Sequence, residues 1–211
     1  MQTIGGKPKP GNLAGIIRYN RSMRALILHG TNADHTQNWF PWLKTELEKL
    51  GYEVWVPDLP VNGRPNIERY NQLLLGQGWD FNDNLVIGHS SGAVAILGLL
   101  QALPKDVKIN TAILAGAFTK RLSQDPSWEM LSELFDKPFD YEAIKQKAKQ
   151  FIFLHSDDDP YCPIEQAQEL HNKIGGEFMR LHGMKHFSIG LDKRFAKFPE
   201  LLEIIKTKVL A

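Results

Sequence analysis

Cysteine is nearly absent: Cys162 stands alone in 211 residues. That excludes an internal disulfide framework and a multi-cysteine metal site, and it fits a reducing compartment, so a cytoplasmic protein is expected. Long apolar runs are missing as well. Nowhere do about 18 apolar residues follow one another, and the stretch Met1–Asn12 is rich in Gly, Pro and Lys without the apolar centre of a signal peptide. Neither membrane insertion nor export is expected. An excess of one charge is missing too: 25 Lys and Arg against 24 Asp and Glu leave a formal charge of +1. Such a balance builds no field for nucleic acid or an anionic membrane. No internal repeat or low-complexity tract points to a solenoid or an interdomain linker.

What is present is an ordinary globular composition, 43% apolar and 23% charged, in a length that suits one core rather than two. A single domain over 1–211 is expected, with residues 1–20 as a loosely ordered leader carrying Pro8 and Pro10. Beyond it, short apolar runs alternate with amphipathic stretches. Ala25–Leu28, Val54–Val56, Leu85–Ile87, Ile109–Leu114, Phe151–Leu154 and Glu177–Leu181 read as buried parallel strands. Trp39–Leu50, Ile67–Leu75, Ala93–Leu103, Ile164–Ile174 and Leu201–Leu210 read as helices, several closed by Gly or Pro. The alternation predicts a three-layer α/β sandwich with a mainly parallel sheet of about six strands. Residues 117–141 are too long for a simple crossover and read as an insert, a small cap.

The run Gly88-His89-Ser90-Ser91-Gly92 lies between a strand and a helix. A serine on such a turn has a strained backbone, and glycine two residues to either side removes the Cβ atoms that would collide with the neighbouring strand or helix. This is the context of a nucleophile elbow, and it points to Ser90 as nucleophile in a minimal α/β-hydrolase fold. The plainer alternative is a glycine-rich turn with an idle serine; Ser91 is a weaker rival nucleophile. The helix start supplies Ser91 N–H as one oxyanion donor. The loop His29-Gly30-Thr31-Asn32 supplies the second, Thr31 N–H ahead of Asn32 N–H, unless His29-Gly30 merely ends its strand.

A serine hydroxyl needs a base, and histidine is the side chain suited to the task near neutrality. In the α/β-hydrolase order the acid follows a late strand and the base lies in the last loop, which sets aside His29, His35 and His89. After Phe151–Leu154 comes His155-Ser156-Asp157-Asp158-Asp159-Pro160. Asp159 abuts the turn from Pro160 to Pro163, which fixes its backbone and leaves its carboxylate free for an imidazole; Asp157 and Asp158 are expected to face solvent or cap the turn. The last loop offers His182 and His186, of which His186 lies farther from the strand edge. No metal is expected. The aspartates lack the Asp-x-Asp-x-Asp-Gly pattern of a calcium loop, and Gly183 argues against the helix that would let His182 and His186 share zinc. Cys162 follows the acid strand rather than an elbow and is expected to pack.

Taken together, His29-Gly30 with Trp39–Leu43, Pro57-Asp58-Leu59-Pro60, Ile87–Ala93, Asp158-Asp159-Pro160 and Lys185-His186-Phe187 resemble the family of small α/β-hydrolase-fold serine hydrolases typified by retinoblastoma-binding protein 9 and YdeN-like proteins. The likeness runs from about Leu26 to the C-terminus. It implies a triad of Ser90, Asp159 and His186, in agreement with the residue-level reading, and a minimal hydrolase without a large lid. The Leu-x-Cys-x-Glu segment tied to retinoblastoma-protein binding is missing, so that partner is not implied.

The expected activity is therefore cofactor-free acyl transfer to water on a small-molecule ester, thioester or amide, with esters foremost. Small acyl chains are expected where Phe118, Trp128, Phe135 and Phe139 line an apolar pocket, though the same aromatics serve equally well as core. Two other readings stand beside it: a non-catalytic ligand- or protein-binding module on the same fold, and a cofactor-free perhydrolase, which an assay with peroxide distinguishes.

Overall fold

Strands as apolar as Leu85-Val86-Ile87 leave no side fit for water, so the sheet they form has to be covered twice. The computed structural model describes residues 23–61, 63–120 and 128–210; the expected leader and residues 121–127 of the insert lie outside them. Six strands, β1 (Met23–Leu28), β2 (Tyr52–Trp55), β3 (Leu85–His89), β4 (Ile109–Ala115), β5 (Ala148–Ser156) and β6 (Glu177–Leu181), pair in parallel in the order β2-β1-β3-β4-β5-β6. The helices are α1 (Phe40–Lys49), α2 (Ile67–Gly76), α3 (Ser91–Ala102), α4 (Trp128–Leu131), α5 (Tyr141–Lys145), α6 (Ile164–Ile174) and α7 (Pro199–Lys208).

Alternate residues of each strand feed the two outer layers. Ala25 and Ile27 pack with Phe40, Leu43 and Leu47 of α1 and with Leu201 and Ile205 of α7. Leu26 and Leu28 pack with Tyr70 and Leu74 of α2 and with α3. The helix α3 is buried from Ser91 to Leu100, which explains why its sequence is apolar on every side.

Elements begin and end a few residues from where periodicity places them. β5 starts at Ala148 rather than Phe151, because Ala148 and Gln150 pair with Ile109 and Thr111 of β4; cross-strand pairing extends a strand into the polar residues Lys149 and Gln150. The short α5 escapes a pattern search because it spans five residues, and it forms on its cap, Asp140 accepting from Ala143 N at 3.0 Å. Within the insert, Leu131 and Leu134 are buried in the core on the α3 side of the sheet.

The strand order carries one consequence for function. β1 lies between β2 and β3, and the helices that follow its loop and that of β3 pack on opposite faces, α1 on one and α3 on the other. Their connecting loops diverge, and a crevice opens at the carboxyl ends of β1 and β3.

Three histidines tie strand ends to neighbouring loops. His29 donates Nδ1–H to Gly30 O and accepts Leu59 N at Nε2, both at 2.8 Å. His155 donates Nε2–H to Cys162 O at 2.8 Å, and His89 donates to His186 O at 2.7 Å. Burial lowers the pKa of all three, that of His89 to about 3. Each is neutral when folded and takes a proton on unfolding below its ordinary value of about 6.5. The stability they contribute is thus complete above that pH and is lost as the pH falls towards the lowered values. Between pH 6.5 and 4.5 the unfolding free energy should fall, at up to about 1.4 kcal/mol per pH unit for His89, with His29 and His155 contributing in the same direction. Urea unfolding at pH 7.5 and pH 5 checks this; equal midpoints would contradict it.

Candidate active site

Ser90 sits between β3 and α3 with φ 55° and ψ −123°, a conformation that L-residues rarely adopt. Its N–H is held by Ala115 O at 2.8 Å, and its carbonyl accepts from Ala93 N at 2.9 Å. The flanking glycines are required by close approach. A Cβ on Gly88 would come within 2.7 Å of Ala93 Cα, and one on Gly92 within 2.5 Å of His29 O. The first turn of α3 therefore lies directly on the ends of β1 and β3, and the serine is pushed out at their crest.

The loop after β1 closes against this turn. A Cβ on Gly30 would stand 3.0 Å from Ser90 Cβ. Thr31 donates its hydroxyl to Ser91 Oγ at 2.8 Å across 60 residues, which ties the loop after β1 to the start of α3. Ser91 itself is fully buried, and its hydroxyl accepts this bond as a strut between the two loops.

Asp159 and His186 meet through the pairing of β5 with β6. Ser156 lies opposite Leu181 in that register, and beyond the strands the two segments remain bonded, with a shift of two residues after Asp157. Asp157 accepts from His182 Nδ1 at 2.5 Å and from Gly183 N at 3.2 Å. Asp158 accepts from Lys185 N at 2.8 Å and pairs with Lys185 Nζ at 2.8 Å. Ser156 Oγ donates to Asp158 at 2.6 Å and accepts from Met184 N at 2.9 Å. Asp159 Oδ2 accepts from His186 Nδ1 at 2.7 Å. Sequence reasoning turned Asp157 and Asp158 towards solvent or their own turn. Asp157 is exposed as expected and Asp158 bonds Ser156 of its own turn; beyond that expectation, both bond the loop 182–185. Asp159 is also less free than expected, because Oδ1 accepts from Tyr161 N at 2.9 Å and Cys162 N at 3.0 Å.

The electrostatics follow from these contacts. Burial by itself would raise the Asp159 carboxyl. The hydrogen bond and charge of His186 and the two amides outweigh burial and leave it lowered, so it is ionised at neutral pH. Lys185 and then Ser156 hold Asp158 well below the usual carboxylate range. With Nδ1–H committed to Asp159, the neutral His186 ring keeps its lone pair on Nε2.

His186 is 6% exposed, and its surroundings include residues that sequence reasoning missed. Gly116 has φ +63°, and a Cβ there would lie 3.1 Å from His186 Cε1; its absence makes room for the ring. Tyr161 meets the imidazole edge-on at 5.2 Å. Lys185 and Phe187, on either side of the base, both have φ 51°, a strain of about 1–3 kcal/mol each that the surrounding bonds must overcome. Trp39 Nε1–H donates to Phe187 O at 3.1 Å.

Ser90 and His186 share a cleft of about 530 Å³ with Thr31, Asn38, Phe118 and Ile189. Among the described residues no hydrogen bond joins Ser90 Oγ to His186, and such bonds commonly tighten only around a substrate. Of the described aromatics expected to line an acyl pocket, Phe118 lines this cleft and Phe135 and Phe139 do not. Phe135 packs against Phe118 at 5.7 Å, and Phe139 lines a separate groove of about 510 Å³ beside α2 and α3. The Trp128 side chain lies outside the described residues. Two groups have metal-donor spacing, Asp34 with His35 and Asp58, and Asp159 with Cys162 and His186. In the first, His35 Nδ1 bonds Asp58 at 2.8 Å; in the second, Asp159 and His186 bond each other. No helix among the described residues is long and apolar enough to cross a membrane.

Comparison with known proteins accords with this geometry. The family model described as "Serine hydrolase" matches residues 25–207. YdeN of Bacillus subtilis is 29% identical over 180 residues, which is 85% of this chain and 92% of that protein. Serine hydrolase RBBP9 of Rattus norvegicus is 24% identical over 189 residues, 87% of this chain and 94% of that one. The crystal structure of the B. subtilis ydeN gene product superposes with a TM-score of 0.81, covering 90% of this chain and 100% of that one at 26% identity. Of the readings that the sequence leaves open, the enzymatic one prevails over the non-catalytic module.

The strut at Ser156 gives a direct test of the loop's support. Ser156→Ala leaves the buried Met184 N–H without its acceptor, and it should cost about 1–3 kcal/mol in denaturant unfolding and speed hydrogen exchange at Met184 and Lys185. Asp157→Ala, which loses partners at the surface, should cost less than about 1 kcal/mol. Equal effects would show that the loop is not held as described.

Proposed function

Because the chain belongs to the serine hydrolase family and is a hydrolase, we propose that it cleaves a small ester, thioester or amide through an acyl-enzyme on Ser90, with His186 as base and Asp159 as its partner. The observation that carries this reading is the His186–Asp159 hydrogen bond of 2.7 Å beside the strained serine of the elbow. It presets the tautomer in which Nε2 accepts a proton.

In this mechanism Ser90 Oγ attacks the carbonyl carbon while its proton passes to His186 Nε2. The carbonyl becomes an oxyanion, held by the N–H groups of Thr31 and Ser91. Ser91 N–H, the first of α3, has no carbonyl partner within its helix, and the Thr31–Ser91 hydroxyl bond of 2.8 Å keeps the two donors together. As the intermediate collapses, His186 returns the proton to the leaving group and the acyl chain stays on Ser90. Water then attacks with His186 as base again, releasing the acid and restoring the serine. Asp159 stays ionised throughout and favours the imidazolium that each half-reaction requires.

The cleft supports a small, uncharged substrate. Phe118, Leu131 and Ile189 offer apolar surface, Asn38 and Ser188 offer polar groups, and no Lys, Arg, Asp or Glu lines it among the described residues. A charged group placed there would lose water without gaining a counter-ion. Esters lead the proposal, since their alkoxide leaves with less assistance than an amide nitrogen.

A fluorophosphonate probe should label the wild type and not Ser90→Ala, and 4-nitrophenyl butyrate hydrolysis should fall by on the order of 10³-fold or more in Ser90→Ala and Asp159→Asn. Asp158→Asn should retain far more activity than Asp159→Asn. Full labelling of Ser90→Ala, or the reverse order of the two aspartates, would overturn the assignment.

A further inference from the structure

His89 precedes the nucleophile, yet its side chain is turned to the base. It is 3% exposed, and its Nε2–H donates to the carbonyl oxygen of His186, 97 residues away, at 2.7 Å. The two rings lie 4.9 Å apart at 47°. Trp39 and Phe40 hold the His89 ring from α1, each with its centroid 6.0 Å away. The bond therefore runs from the end of β3, one residue before Ser90, to the backbone of His186. That backbone is the one flanked by Lys185 and Phe187 in the left-handed region. Asp158 and Ser156 hold this loop from the β5 side; His89 holds it from the nucleophile's side.

We propose that His89 is a positioning residue, a neutral imidazole whose single N–H ties the backbone of the base to the strand that carries the nucleophile and so sets the distance between Ser90 and His186. The inference rests on the triad reading above.

Chemistry explains why a histidine suits this place. Its Nδ1 is buried and has no hydrogen-bond partner among the described residues. Protonation would bury a second N–H without an acceptor. Burial and then the nearby His186 keep the ring neutral, with His29 acting in the same direction; Asp159 and the bond to His186 O oppose it without prevailing. A neutral donor is what the site requires, because a cation beside His186 would resist the imidazolium formed during turnover. The one N–H of the neutral ring then has one available acceptor, the His186 carbonyl, and this selects the tautomer.

The proposal is tested on the full chain with His89→Ala and His89→Gln; the latter restores a side-chain N–H at about the reach of Nε2. With 4-nitrophenyl butyrate, His89→Ala should lower kcat by about 10- to 100-fold and leave KM within about 3-fold, as expected when reacting groups are misplaced rather than substrate binding lost. His89→Gln should recover kcat to within about 5-fold of wild type. The downfield proton resonance of the His186–Asp159 hydrogen bond should broaden or move in His89→Ala and return in His89→Gln. Unchanged kcat and an unmoved resonance in a folded His89→Ala would overturn the proposal. So would equal losses in both variants that track their unfolding midpoints, which would assign His89 to packing alone. Failure of the triad reading looks different: the wild type itself would then lack Ser90-dependent turnover.

Discussion

Parallel pairing of β5 with β6 places Ile152 opposite Glu177 and Ser156 opposite Leu181, and past the strand ends the two segments stay bonded, with the partner shifted two residues along after Asp157. Asp157 reaches His182, Asp158 reaches Lys185 and Asp159 reaches His186. The rest of the site depends on this register. A slip of one residue would turn every side chain of β6 to the other face of the sheet and carry the base loop away from its aspartates. The backbone ladder thus performs a task usually assigned to side chains alone, delivering Asp159 and His186 from different parts of the chain to one hydrogen bond.

The same economy holds at the nucleophile. Ser90 is kept at φ 55° because both of its neighbours in space are backbone: the ends of β1 and β3 lie beneath it and the first turn of α3 beside it. Lys185 and Phe187 repeat the pattern around His186. Strained residues thus include Ser90 and flank His186, and each is held by backbone or side-chain hydrogen bonds: Ser90 N to Ala115 O, Lys185 N to Asp158 and Phe187 O from Trp39. Strain of this kind persists only where its surroundings over-determine it, which is why the ties from Ser156, Trp39 and His89 converge on the short loop of the base.

Much of this was legible in the sequence, for physical reasons. The glycines at 88 and 92 report close backbone approach, Gly88 to the first turn of α3 and Gly92 to the end of β1. Apolar runs report two-sided burial, and the order of elements reports the sheet. Chain order and turn residues single out Asp159 and His186, and in the structure these two side chains meet at 2.7 Å. Less legible was whatever depends on distant parts of the chain. Nothing near Asp158 announces Lys185, and nothing near His89 announces a carbonyl 97 residues later. Gly116 reads as the end of a strand until the His186 ring is seen beside it. Phe135 and Phe139 have the spacing of a pocket wall, but tertiary packing sends one behind Phe118 and the other to a second groove.

The account stands or falls on a covalent bond to one oxygen atom. Mixing the protein with 4-nitrophenyl butyrate, quenching in acid and mapping the peptides by mass spectrometry should find a single butyryl group, on the Ser90-containing peptide, and none in Ser90→Ala. A butyryl group on Ser91 or Cys162, or one that survives in Ser90→Ala, would contradict it.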